Sequence, residues 1–111
     1  MPQTPYHLVI RGGTLGTAQG SFRADVAVNG STIAAIGLDL PSGAQEIDAT
    51  GKLVLPGGVD GHAHIEQISA GGLLNADTFE SATVSAAFGG TTTVIAFAAQ
   101  HVGLGLSLIH I

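Results

Sequence analysis

The stretch Val59-Asp60-Gly61-His62-Ala63-His64-Ile65 decides how this chain is read, because it alternates strictly. Side chains two apart on a strand project to the same face. Val59, Gly61, Ala63 and Ile65 therefore share one side, and Asp60, His62, His64 and Glu66 share the other. Downstream, Asp77-Thr78-Phe79-Glu80 has the form of a capping box, with Asp77 at the N-cap and Glu80 at N3. It opens a helix whose Phe79, Ala82, Thr83, Ala86 and Ala87 recur at helical spacing and which Gly89-Gly90 stops. The β-branched, uncharged run Thr91 to Ala98 then reads as a strand buried on both faces of a parallel sheet. Strand, helix and strand make a βαβ unit.

In such folds the active site opens at the C-terminal ends of the strands. Asp60, His62 and His64 stand in one row at that end of the first strand. Two imidazoles so placed either share a metal ion or serve as hydrogen-bonded structural residues, and the spacing is compatible with both. A catalytic zinc takes about three protein ligands and a water, so two histidines are half of a site.

Upstream, Tyr6 to Arg11 reads as a strand ending at Gly12-Gly13. Phe22, Ala24, Val26 and Val28 alternate with Arg23, Asp25, Ala27 and Asn29, the pattern of a half-buried strand. Asn29-Gly30 suits a two-residue type I′ turn, which would set Val28 against Ser31, Val26 against Ile33 and Ala24 against Ala35. Short strands at 45–47 and 52–55 are expected to close a small antiparallel β unit, with Pro56-Gly57-Gly58 as its boundary.

Composition narrows the function. The 111 residues include 3 basic and 8 acidic side chains, a net charge of −5, and no cysteine, which excludes disulfides, cysteine-based zinc sites and a thiol nucleophile. Nucleic-acid binding requires clusters of Lys and Arg that this chain lacks, so a small molecule is the expected partner. No apolar run approaches the roughly 18 residues of a membrane span, and the start has no secretory signal, which makes a cytoplasmic location and no membrane partner the expectation. From Leu53 onward the only formal charges are Asp60, Glu66, Asp77 and Glu80. A solvated surface carries more charge, so the chain is expected to be part of a larger molecule. No base partners Ser81, Ser85 or Thr91 to Thr93, and His7 reads as packed or solvated within the first strand.

Leu53 to Gln67, Asn75 to Thr83 and Ala86 to Ile95 together resemble the start of a cyclic amidohydrolase of the hydantoinase and dihydropyrimidinase group, within the amidohydrolase superfamily. The likeness runs from about Tyr6 to Leu106, and Leu8 to Thr14 and Ile33 to Gly37 resemble the small β-sandwich lobe of these enzymes. The resemblance implies an α/β fold: part of a β-sandwich lobe at 1–55, then the first β-α-β unit of a truncated (β/α)8 TIM barrel at 56–105. It implies that His62 and His64 bind the more buried zinc of a binuclear divalent metal site and that Asp60 orients a ligand imidazole from behind. It also implies hydrolytic opening of a hydantoin or dihydropyrimidine ring in a homotetrameric parent.

The bridging carboxylated lysine, two further histidines and the proton-transferring Asp of such enzymes should lie beyond position 111. Lys52, the sole lysine, falls in the β lobe. The fragment is thus expected to hold no catalytic residue and to be inactive. Residues 106–111 break the expected amphipathic pattern and read as a non-native tail, so His110 is not taken as a ligand. His101, just past the second barrel strand, is a lesser pocket candidate. The competing expectation is a non-catalytic binding module, or a metal-free relative of the same fold.

Overall fold

The computed structural model describes residues 5–69 and 71–98. The expected tail at 106–111, His101 and His110 lie outside the described residues. The chain divides into two compact units between Pro56 and Gly57.

In the first unit, β1 (Tyr6–Thr17), β2 (Gly20–Asn29), β3 (Thr32–Gly37) and β4 (Gly43–Asp48) form a sheet in the order β3-β2-β1-β4, and β5 (Leu53–Val54) also pairs with β1. β1 does not end at Gly12-Gly13. Gly12 takes a left-handed φ of 68° and the β1–β2 register shifts between Ile10 and Gly13, so the pair makes a bulge within a longer strand. The bulge lets one strand serve two parallel neighbours: Tyr6 to Arg11 pairs with β4, and Thr14-Leu15 with β5. A Cβ on Gly13 would stand 2.5 Å from Val54 Cγ2, which is why the second of these positions excludes a side chain. The unit is therefore a mixed sheet, and the expected all-antiparallel closure is corrected: both returning strands run parallel to β1.

The hairpin register is also corrected. Asn29 pairs with Thr32, so the two loop residues are Gly30 and Ser31, and Val28 faces Ile33. Asn29 is held in the strand by its side chain, which accepts from His7 N at 3.0 Å and donates to the Pro5 carbonyl at 3.1 Å. Gly30 alone has a positive φ, the requirement of a type II′ turn at its first central residue rather than of type I′ at both. A second shift, between Ala27 and Val28, leaves Ala34 as the extra residue, and beyond it Val26 faces Ile36.

The alternating apolar face is present: Leu15, Ala24 and Val26 form a buried cluster, with Ile10, Val28 and Val54 packed on it. The opposite face of β2 is buried too, through Ala27, which pairs with the fully buried Val9, and through Asp25. Asp25 is there because it collects donors. Its Oδ1 accepts from Gly12 N at 2.9 Å, and its Oδ2 from Leu40 N at 3.3 Å and from Arg11 Nη1 at 3.2 Å. The Gly12 N–H is the largest of the effects that lower the Asp25 pKa. Arg11 continues to Glu46 at 2.7 Å and lowers the pKa of that carboxylate as well.

In the second unit, β6 (Gly58–Ala63), α1 (Phe79–Phe88) and β7 (Thr91–Ala96) form the βαβ unit read from the sequence, with β6 and β7 parallel. The cap is one residue later than expected: Thr78 is the N-cap, its hydroxyl accepting from Ser81 N at 3.2 Å, while Ser81 Oγ accepts from Thr78 N at 3.0 Å. Asp77 takes a supporting place by accepting from Ser81 Oγ at 2.8 Å. A β-hydroxyl at the extended Thr78 reaches its own N3 amide, which moves the box from Asp77–Glu80 to Thr78–Ser81. Gly89 ends the helix. β7 is half-buried or exposed along its length rather than buried on both faces, since among the described residues only β6 pairs with it. Val59, Ile95 and Phe88 are correspondingly exposed.

Candidate metal centre

The site is built at the C-terminal end of β6. Ala63 and Ile65 are buried, which commits the alternate residues His62 and His64 to the exposed side. β7 then runs alongside, and Phe97 N donates to the Ala63 carbonyl at 2.9 Å, placing Phe97 beside the two histidines. Its ring stacks on His64, with centroids 4.5 Å apart and planes 8° from parallel, and packs on His62 at 4.3 Å with a 54° tilt. The aromatic ring thus shields both imidazoles from one side and restricts their rotation.

His62 Nε2 and His64 Nε2 lie 3.2 Å apart. Two nitrogens bound to one tetrahedral ion at about 2.0–2.1 Å would be separated by about 3.3 Å. The converging pair therefore matches the bite of a single metal ion and fits the group that the sequence implies. No cluster of three or more His, Cys, Asp or Glu side chains suited to a metal is present among the described residues.

Asp60 sits in the row but does not reach an imidazole. Its Oδ1 accepts from His62 N at 2.9 Å and fixes the backbone at the ligand position. The group that does touch an imidazole is Gln67, whose Oε1 lies 2.6 Å from His64 Nδ1 and whose Nε2 points at the Phe97 carbonyl at 3.5 Å. Neither Gln67 nor Phe97 had a role readable from spacing. Gln67 follows a left-handed residue, Glu66 at φ 51°, which turns the chain back toward the strand end.

The connection from β6 to α1 is tied to the same place. Asn75 Nδ2 donates to the His64 carbonyl at 2.9 Å, and Asn75 N to the Gln67 carbonyl at 3.0 Å. Glu66 Oε2 accepts from Phe79 N, the first amide of α1, at 3.2 Å. A carboxylate at a helix N-terminus is favoured by the free amides and the dipole there, which offsets the strained φ of Glu66. A cleft of about 450 Å³ lies in the β lobe among Arg11, Arg23, Asp25, Glu46 and Asp48, and no histidine lines it.

No family model matches the chain. The D-hydantoinase of Streptomyces coelicolor is 47% identical over 104 residues, which cover 88% of this chain and 22% of that enzyme. An Escherichia coli allantoinase is 42% identical over 90 residues, covering 81% of this chain and 19% of its own length. Among solved structures, the dihydropyrimidinase of Brevibacillus agri superposes with a TM-score of 0.79 at 42% identity, over 86% of this chain and 21% of that one. The chain therefore spans about one fifth of the length of the relatives it matches, and on sequence and fold together its homologues are D-hydantoinases, dihydropyrimidinases and allantoinases.

Proposed function

We propose that the chain supplies the first metal-binding strand of a (β/α)8 barrel hydrolase that opens cyclic amide rings such as hydantoins or dihydropyrimidines. The observation that carries the reading is the 3.2 Å approach of His62 Nε2 and His64 Nε2 at the C-terminal end of a parallel strand. Its support is the likeness to hydantoinases, a dihydropyrimidinase and allantoinases. In this reading β6 and β7 are the first two barrel strands, and the β lobe is part of a sandwich.

A divalent metal, with zinc the expected ion, would be held by His62 and His64 and would supply an acidified water and a polarised ring carbonyl. The work of this chain's own residues is positional. His62 and His64 bring their Nε2 atoms together at the strand end, Asp60 fixes the backbone that carries His62, and Phe97 covers one side of the pair. The proton for the departing ring nitrogen comes from a group outside the described residues. With two ligands and no proton donor placed at the site among the described residues, the 111-residue chain is expected to be inactive by itself.

The test is metal analysis and a ring-opening assay on the product of the whole open reading frame that encodes these residues. Bound divalent metal and turnover of hydantoin or dihydrouracil are expected, both lost in His62→Ala and in His64→Ala. An active, metal-free enzyme refutes the proposal.

A further inference from the structure

We infer that Gln67 is a positioning residue that sets the tautomer of His64, holding its Nε2 as a lone pair ready for a ligand. The inference deepens the proposed function and rests on it for the identity of the ligand as a metal.

The argument runs through three groups. A carbonyl oxygen only accepts, so the side-chain amide of Gln67, lying against the Phe97 carbonyl at 3.5 Å, turns its NH2 toward that oxygen. Its own Oε1 is then left facing His64 Nδ1 at 2.6 Å, where two acceptors would repel each other. Nδ1 must therefore carry the proton, and a neutral imidazole protonated at Nδ1 has an unprotonated Nε2. The Phe97 ring, nearly parallel to His64, holds the imidazole in the plane this bond requires. The position of β7 is in this way transmitted to a ligand atom on β6 through one amide.

A second consequence concerns His62. In the metal-free protein, two Nε2 atoms at this 3.2 Å separation can hydrogen-bond only if one of them donates, and His64, protonated at Nδ1, does not. His62 is then the Nε2–H donor, and it must move its proton to Nδ1 before it binds an ion. The pair is asymmetric: His64 is preset, whereas His62 rearranges. A second group that orients a ligand imidazole typically contributes 10–100-fold in metal affinity.

Histidine ¹⁵N NMR on the full chain, at a pH where the imidazoles are neutral, reads the tautomers directly without metal. Nδ1–H is expected for His64 and Nε2–H for His62. Gln67→Leu should shift His64 toward the Nε2–H form, and Gln67→Glu, which keeps an acceptor at the same reach, should restore Nδ1–H. Cobalt(II) titration of the same three proteins should show a 10–100-fold weaker affinity for the Leu variant alone. An Nε2–H His64 in the unsubstituted chain overturns the inference without recourse to any variant, as does a tautomer unchanged by Gln67→Leu. If the tautomer responds as expected but no protein takes up cobalt(II), the positioning role stands and the metal reading falls. Equal cobalt(II) uptake with an unchanged tautomer has the reverse meaning.

Discussion

Replacing Asp25 by alanine should remove a substantial share of the stability of the β lobe. The carboxylate is buried and accepts from two backbone amides and one guanidinium. Hydrogen bonds to a charged group contribute about 1.5–3 kcal/mol each, but the cost of losing them depends on what the donors find instead. Arg11 retains Glu46 and the Leu40 carbonyl, so its loss is small. Gly12 and Leu40 are half-buried and gain partial access to water. Counting the two amides at about 1–1.5 kcal/mol each gives about 2–3 kcal/mol for Asp25→Ala. A unit of 56 residues has roughly 3–8 kcal/mol in all.

The assay is urea unfolding followed by tyrosine emission, since the chain has one tyrosine, Tyr6 in β1, and no tryptophan. At a slope near 1 kcal/mol per molar urea, the midpoint should fall by about 2–3 M. The pH dependence has a definite sign. Asp25 has a pKa lowered by folding, chiefly by the Gly12 N–H, so its contribution is complete above the unfolded value of about 3.9 and is lost as the pH falls through the folded value. Asp25→Asn should lack this component of the acid sensitivity. A midpoint within about 0.5 M of the parent, or an unchanged pH profile in the Asn variant, refutes the reasoning.

Thr78→Ala should cost α1 about 1 kcal/mol and accelerate amide exchange at Ser81 to Ala87, whereas Asp77→Ala should cost less because Asp77 meets only the Ser81 hydroxyl. Equal effects of the two would restore Asp77 as the cap. Gly13→Ala should cost about 1–3 kcal/mol by pressing a methyl onto Val54 and Ala49, and the same urea assay reads it. Gly61→Ala, whose Cβ would meet nothing within 4 Å, should leave the thermal unfolding of the second unit unchanged.

Local periodicity carried the elements. The alternation from Val59 to Ile65, the alanine-rich run after Phe79 and the β-branched run from Thr91 are each properties of a few consecutive residues, and the βαβ unit followed from them. The histidine row was legible for the same reason: residues two apart on a strand share a face whatever surrounds them. Register and partner choice were not legible. Asn29 looked like a turn residue until its side chain was seen to bind Pro5 and His7, and Gly12-Gly13 looked like an end until a second strand was seen to need the space.

Sequence by itself therefore determined which faces are apolar, where the two units divide into different patterns, and that two imidazoles stand side by side. Tertiary structure alone decided that Asp25 is a buried hub, that β4 and β5 run parallel to β1, and that Gln67 rather than Asp60 meets a histidine ring. The physical reason is range. Pleat and helix repeat act between neighbours along the chain, whereas the hydrogen bond from Gln67, the partner of His64, to the Phe97 carbonyl joins residues 30 apart, and its existence depends on how the strands pair.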